Sequence, residues 1–400
     1  MSDFDVAIRE MLPELIAFRH EMHRNPELAY EETETAARIE RELNGIPGLE
    51  IRTGVAKTGI VATLNGDRDG RCVLLRGDMD ALPIQEANTF DYRSRRDGLM
   101  HACGHDGHTT CLLGAARVLA MFADQLPGKV KFIFQPAEEN GAGGRAMVDA
   151  GILDDPKVDA AFALHGWPEA ALGSIVVGAG AILAAATAFE IVLHGKGTHA
   201  AYPHKGTDLI LTASHLVTAL QAEASRHTAP IDPVVVSISA IHAGETHNVL
   251  PDRCRMLGTT RALDEKTHLE VKGRIEHCVH SIASVFGARA ELTWLETYPA
   301  LVNDPSAAAL VAGVGDERLG TAQVDRNPAP GLGAEDFSFI ARCVPSAMWR
   351  LGLCPPGRDE MPTLHNPEFD FTDAAIPIGV GMHCLVAERF LSEGLPETGR

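Results

Sequence analysis

The 400-residue chain lacks several features that would have assigned it to other classes. No stretch reaches the roughly 18 consecutive apolar residues that a membrane span needs. The N-terminus, Met1-Ser2-Asp3-Phe4-Asp5, is acidic and has neither the basic nor the apolar region of a secretory signal, so the expected location is the cytoplasm. Basic residues are in deficit: 35 Lys and Arg face 54 Asp and Glu, a formal charge of −19. Nucleic acid is therefore not an expected partner, because phosphate binding needs a concentrated basic face. An anionic small substrate would need a local cation to hold it. The eight cysteines include no Cys-x-x-Cys pair, and seven of them read as reduced packing thiols. There is no internal repeat and no low-complexity segment.

What is present is the composition of an ordinary enzyme, 45% hydrophobic and 22% charged, long enough for two domains. The eighth cysteine, Cys103, lies in His101-Ala102-Cys103-Gly104-His105-Asp106-Gly107-His108. In an extended backbone His101, Cys103 and His105 share one face. Leu112, Leu113, Ala116, Leu119 and Ala120 then recur at helical spacing, which puts the cluster at a helix entrance. By itself this fits either a metal site or a buried cysteine beside solvated histidines.

Residues 5–43 read as one helix or two, broken at Pro26, with His20, His23 and Arg24 on a solvated face. Short apolar runs at 59–64, 72–75, 130–134 and 160–164 alternate with helical stretches, which predicts an α/β domain built on a mainly parallel sheet. Asp78 and Asp80, Glu138 and Glu139, and His165 each follow such a run. In open α/β sheets ligands bind at that edge. From about residue 184 the pattern becomes strand–helix–strand–strand–helix–strand, a compact ferredoxin-like α+β module inserted into the first domain. The expected division is 1–183 with 296–400, and 184–295 between them.

Collected, Cys103, His105, Glu139, His165 and His365 offer five metal donors from four segments, with Glu138 adjacent. That number suits two ions better than one, and a closed structural zinc site would favour paired cysteines. A Glu-Glu pair lets one carboxylate bind metal while its neighbour stays free as a general base. Asp80 either orients a ligand or caps a turn.

With these motifs the chain resembles the metal-dependent aminoacylase–carboxypeptidase superfamily, in its amidohydrolase branch of hippurate and auxin-conjugate hydrolases. The resemblance runs from about residue 14 to 390 and rests on residues 77–83, 101–108, 135–140, 164–166, 195–203, 248–252, 333–338 and 364–367. It implies two divalent ions (Zn, Mn, Co or Ni) on the five donors, with Glu138 taking a proton from water. The inserted module would mediate a homodimer, His199 would steady the oxyanion, in its own site or the partner's, and Asn248 and Arg261 would bind a substrate carboxylate. Gly333 and Glu335 would line the pocket. His101, His108, His194, His242 and His247 read as structural. The broader superfamily has His-x-Asp where this chain has Asp78-Met79-Asp80, and a bridging Asp where it has His105. Imidazole bridges two ions poorly, which makes the Cys103 thiolate the better bridge and favours softer ions. The implied reaction is hydrolysis of N-acyl amino acids. The alternatives are a dipeptidase or carboxypeptidase on the same machinery, and a metal-binding protein without catalysis.

Overall fold

The computed structural model describes residues 3–358 and 360–397, without the side chain of Glu296. The chain divides into two compact units: Met1–Gly180 with Val302–Ala329 and Asp336–Arg400, and Ala181–Leu301 with Pro330–Glu335. It opens with α1 (Asp3–Arg24), α2 (Thr33–Asn44), β1 (Leu49–Val55), β2 (Gly59–Leu64) and β3 (Cys72–Asp78). Next come α3 (His105–Met121), β4 (Lys129–Gln135), α4 (Gly143–Asp149), β5 (Ala160–Ala171) and β6 (Ile175–Val176). The second unit supplies β7 (Ala185–His194), α5 (Leu209–Ser225), β8 (Val234–His242), β9 (Arg253–Ala262), α6 (Glu265–Val285) and β10 (Arg289–Tyr298). The first unit is completed by α7 (Pro305–Leu319), β11 (Val324–Asp325), the single turn α8 (Ser338–Ala341), β12 (Ser346–Cys354) and α9 (Ile376–Glu393).

The first unit's sheet runs β1-β2-β4-β3-β5-β12-β6-β11. Its centre, β4-β3-β5-β12, is parallel, as the alternating pattern implies, while β1, β2 and β6 pair antiparallel to neighbours. Strands β2, β3 and β12 are buried at every residue, the condition of strands covered on both faces. Leu15 of α1, Leu112 of α3 and Val380 of α9 belong to one core. A Cβ on Gly114 would lie 2.6 Å from Val380 and 2.9 Å from Leu15, so the three helices meet this closely only over a glycine. Helix α9 with the turn before it is long and apolar enough to cross a membrane, but 67% of its apolar window is buried as core.

One strand differs from its sequence reading. The run at 160–164 does not end before His165; β5 continues to Ala171 because β12 pairs with it through Gly352↔Trp167 and Cys354↔Ala171. His165 therefore projects from within a strand.

The second unit's sheet is antiparallel in the order β8-β9-β7-β10, the ferredoxin-like arrangement. Strand β9 alternates buried and less buried residues along almost its whole length, and Leu193, Leu216, Met256 and Ile275 form the core beneath α5 and α6. Asp208 and Asp264 cap the two helices by accepting from the backbone N–H groups of Leu211 and Thr267. Residues Pro330–Glu335, expected to continue the first domain, group with this unit. Gly331 donates to the Ile182 carbonyl and Ala184 to the Gly333 carbonyl, both at 2.9 Å.

Candidate metal centre

The first unit's site is built where β3, β4 and β5 meet the start of α3. Gly104 precedes α3 at φ 86°, a left-handed conformation that costs a glycine nothing, and turns Cys103 and His105 inward. Gly107, on the first turn, leaves room for the Phe371 ring; a Cβ there would sit 2.3 Å from it.

Hydrogen bonds fix which ring nitrogen of each histidine is available. The His165 Nδ1–H donates to the Gly166 carbonyl at 2.8 Å, so its Nε2 lone pair faces the Cys103 Sγ 3.5 Å away. His105 Nδ1 donates to the Asp80 carbonyl at 2.9 Å and lies 3.2 Å from Asp80 Oδ1, leaving Nε2 directed into the cluster. His108 accepts from the Gly166 N–H at Nε2 (2.7 Å) and donates from Nδ1 to Asp78 (2.7 Å), so both nitrogens are committed. Backbone carbonyls and carboxylates orient metal-ligating histidines in the same manner.

Asp80 holds the two-glutamate loop as well. Its carboxylate accepts from the backbone N–H groups of Glu138 and Glu139, both at 3.0 Å. Ala137, immediately before them, has φ 53°, and its N–H donates to the buried Glu32 carboxylate at 2.8 Å. A left-handed alanine is strained, and these bonds are what hold it there. Glu138 accepts from the Asp336 N–H at 3.3 Å. His365, also left-handed at φ 63°, is tied to the cluster loop by its N–H to the Ala102 carbonyl (2.8 Å), and its Nε2 lies 3.2 Å from Glu139 Oε1.

All five predicted donors thus converge. Cys103, His105 and His165 present ligand atoms within 4.8 Å of one another, and so do Cys103, Glu139 and His365. The two trios share the Cys103 sulfur. A third group joins His105 to Glu138 and Glu139. Among the described residues, His105 Nε2 is buried with no hydrogen-bond partner, and Glu139 Oε1 is buried with no hydrogen bond beyond its ion-pair contact with His365 Nε2 at 3.2 Å. Leaving such atoms unpaired costs about 1–3 kcal/mol each. A cation bound between them would satisfy both, so the donor set fits one or two borderline divalent ions.

The electrostatics agree. Burial, then Glu139, Glu138 and Asp78, push the Cys103 thiol well above its ordinary range, so only a cation would make it a thiolate. Burial alone would lower His105, but Asp78, Asp80 and Glu139 outweigh it and raise the imidazole to about 10, so His105, like Cys103, must give up a proton to a cation before it can ligate. Burial and then the neighbouring His108 hold His165 well below the usual value, in the neutral form a ligand requires. Burial would raise Glu139, but His365 and His105 keep it low.

Asp78 was placed at the strand ends from sequence but given no role, and Arg76 was not singled out. Asp78, fully buried, forms a further trio with His105 and His108. Arg76, also buried, bridges Asp78, Gln135 (2.9 Å) and Asp336 (3.0 Å) beneath the strand ends. A charged residue inside an otherwise apolar strand was the available signal. His23 is a correction: it is wholly buried, with Asp106 at 3.0 Å and Glu86 at 3.1 Å, because α1 is covered on more sides than one helix face suggests. His20 likewise stacks on Tyr92 at 3.6 Å.

The remaining predicted residues lie in the second unit. His199 is exposed in a short ribbon opposite Val249, and its Nδ1 accepts from the Ala201 N–H at 3.0 Å. Asn248 is exposed and accepts the Thr246 hydroxyl at Oδ1, 3.0 Å away. Arg261, half-buried near the end of β9, donates to the Thr260 carbonyl at 2.9 Å and to the Thr259 hydroxyl. Gly333 is exposed and Glu335 buried.

A parallel α/β unit with thiol, imidazole and carboxylate donors at its strand ends is the arrangement of a metal-binding hydrolase. A model of peptidase family M20/M25/M40 matches residues 74–389, and the chain belongs to that family. It is 38% identical over 363 residues to N-acetyl-L-cysteine deacetylase of Bacillus subtilis, covering 91% of this chain and 85% of that one. It is 37% identical over 384 residues to the IAA-amino acid hydrolase ILR1-like 4 of Arabidopsis thaliana, covering 95% and 86%. A dinuclear metal-binding peptidase of the M20 family from Bacillus subtilis shares its fold at TM-score 0.81 and 33% identity, covering 96% and 99%. These likenesses agree with the amidohydrolase branch of the superfamily.

Proposed function

We propose that this chain hydrolyses the amide bond of N-acyl amino acids, releasing a carboxylic acid and a free amino acid. The observation that carries the reading is the pair of donor trios sharing Cys103, with one further carboxylate, Glu138, beside them. The N-acetyl-L-cysteine deacetylase and the IAA-amino acid hydrolase among its relatives support the substrate class.

Cys103, His105 and His165 would hold one divalent ion, and Cys103, Glu139 and His365 a second, drawn from Zn, Mn, Co or Ni. Such ions, when bound, polarise a carbonyl and bring the pKa of water toward 7. Glu138 takes the proton of the attacking water and returns it to the leaving amine, a role open only to a carboxylate not engaged as a ligand. Asp80 fixes its position through the Glu138 backbone. His199, with Nδ1 accepting a backbone N–H, carries its proton on Nε2 and donates it to the developing oxyanion. Asn248 and Arg261 bind the amino acid carboxylate, answering the need for a cation in an acidic protein. Gly333 and Glu335 line the pocket, and the protein acts as a cytoplasmic homodimer.

The test is a panel of N-acetyl, N-benzoyl and indole-acyl amino acids against free-amine dipeptides, with added divalent metal. The expected result is kcat/KM at least about tenfold higher for the best N-acyl substrate, a difference of about 1.4 kcal/mol in transition-state binding. A preference for dipeptides would favour the dipeptidase or carboxypeptidase reading. No amide cleavage at all would leave a metal-binding protein without catalysis.

A further inference from the structure

Behind the donors lies a second cluster that none of the roles above uses. Arg19, on α1, is completely buried, and its guanidinium meets three carboxylates. Nη1 donates to Asp106 at 3.0 Å and Asp370 at 2.9 Å, and Nε donates to Asp373 at 2.6 Å. Tyr92 closes the outer side, its hydroxyl donating to Asp370 at 2.6 Å and its ring lying 5.0 Å from the guanidinium carbon.

The three carboxylates come from two places that matter to the metal centre. Asp106 is on the first turn of α3, next to His105 and three residues past Cys103. Asp370 and Asp373 are on the segment that follows His365 and leads into α9. That segment lies directly on the cluster loop: Phe369 and Phe371 pack beneath Gly104, and His365 donates to Ala102. Aromatic packing resists separation but does little to stop sliding. Three mutually repelling carboxylates do not assemble without a cation. The planar fork of arginine fixes their relative positions, which the point charge of lysine cannot do.

We propose that Arg19 is a positioning residue for the ion held by Cys103, Glu139 and His365. By clamping Asp106 to Asp370 and Asp373, it sets the separation between the Cys103 loop and the His365 segment. The other trio depends on it less, since His105 and His165 are oriented by Asp80 and by the Gly166 carbonyl. The inference rests on the two-ion reading of the site.

The test is titration of the metal-free full-length protein with Co2+, reading stoichiometry and the cobalt–thiolate charge-transfer band, with circular dichroism as a check on folding. The wild type is expected to take two ions per chain. Arg19→Lys is expected to keep the first and bind the second about 10- to 100-fold more weakly, the range seen when residues behind metal ligands are altered. Asp370→Asn, at the half-buried rim, is expected to weaken the second ion by a smaller factor and serves as the reading if Arg19→Lys does not fold. Two ions binding both variants with wild-type affinities would overturn the role of Arg19 and leave the two-ion site standing. A wild type that binds fewer than two ions would overturn the two-ion reading itself, and this inference with it.

Discussion

The two units hold their candidate residues in opposite ways. In the first, four of the five donors are buried or nearly so, and hydrogen bonds fix the ring nitrogen or loop that each presents. In the second, His199 and Asn248 are exposed and Arg261 is half-buried. The difference follows from the tasks proposed for them. Donors must reach one spacing before an ion arrives, and burial with fixed partners enforces it, while the Cys103 thiol and the His105 imidazolium give up their protons as the ion binds. Groups that grip a substrate must also release a product, and a surface position permits that.

The sharpest break in this comparison is expected at Glu138. Glu138→Gln keeps the shape and the Asp80 contact, which is made by the backbone, but removes the base. Turnover should fall by about 10³- to 10⁴-fold, the upper part of the range for general acid–base catalysis, with metal content unchanged. Substantial residual kcat in a metal-loaded variant would take the role away from Glu138.

A smaller effect is expected on stability, through the framework behind the first unit's donors. Burial by itself would lower the buried His23, but Asp106 and Glu86 raise it to about 9. An imidazole raised on folding stabilises fully below the unfolded value near 6.5, and that contribution is lost as pH rises through about 9. Urea denaturation should therefore show about 3 kcal/mol less stability at pH 9.5 than at pH 6 from this group. His23→Gln should flatten that slope; an unchanged slope would mean the histidine is neutral throughout.

The smallest effect is expected in the second unit. Arg261→Ala should raise KM for N-acyl amino acids about 10- to 30-fold, with kcat altered much less, as expected for loss of binding common to ground and transition states. An acyl amide lacking the carboxylate should be cleaved equally by both forms. If that substrate suffers as well, Arg261 acts on the fold and not on the carboxylate.

Much of this was legible in the chain. Cys103, His105, Glu139, His165 and His365 are residue types that bind metals, and most follow short apolar runs whose alternation with helices predicts a parallel sheet. Local pattern therefore placed Glu139 and His165 at one sheet edge, but that all five meet there was decided by the fold. The supporting residues were not legible. His23 looked solvated because a helix-face pattern cannot report what covers the other faces, and Asp106, its partner, lies on a different helix. Arg19 drew no notice because Asp370 and Asp373 are at the far end of the chain. His165 was placed beyond its strand because only the pairing with β12 extends that strand to Ala171.

What the sequence determined alone was the inventory: the periodicities that make α3 a helix and β3 a strand, and the donors placed near their ends. Those depend on neighbours a few residues apart. Which nitrogen each histidine presents, where the loop of Glu138 and Glu139 is braced, and how the His365 segment is fastened to α3 were decided by tertiary structure. Except at His165, whose Nδ1 bonds the carbonyl of its neighbour Gly166, each depends on hydrogen bonds between groups tens to hundreds of positions apart, and no local pattern encodes those.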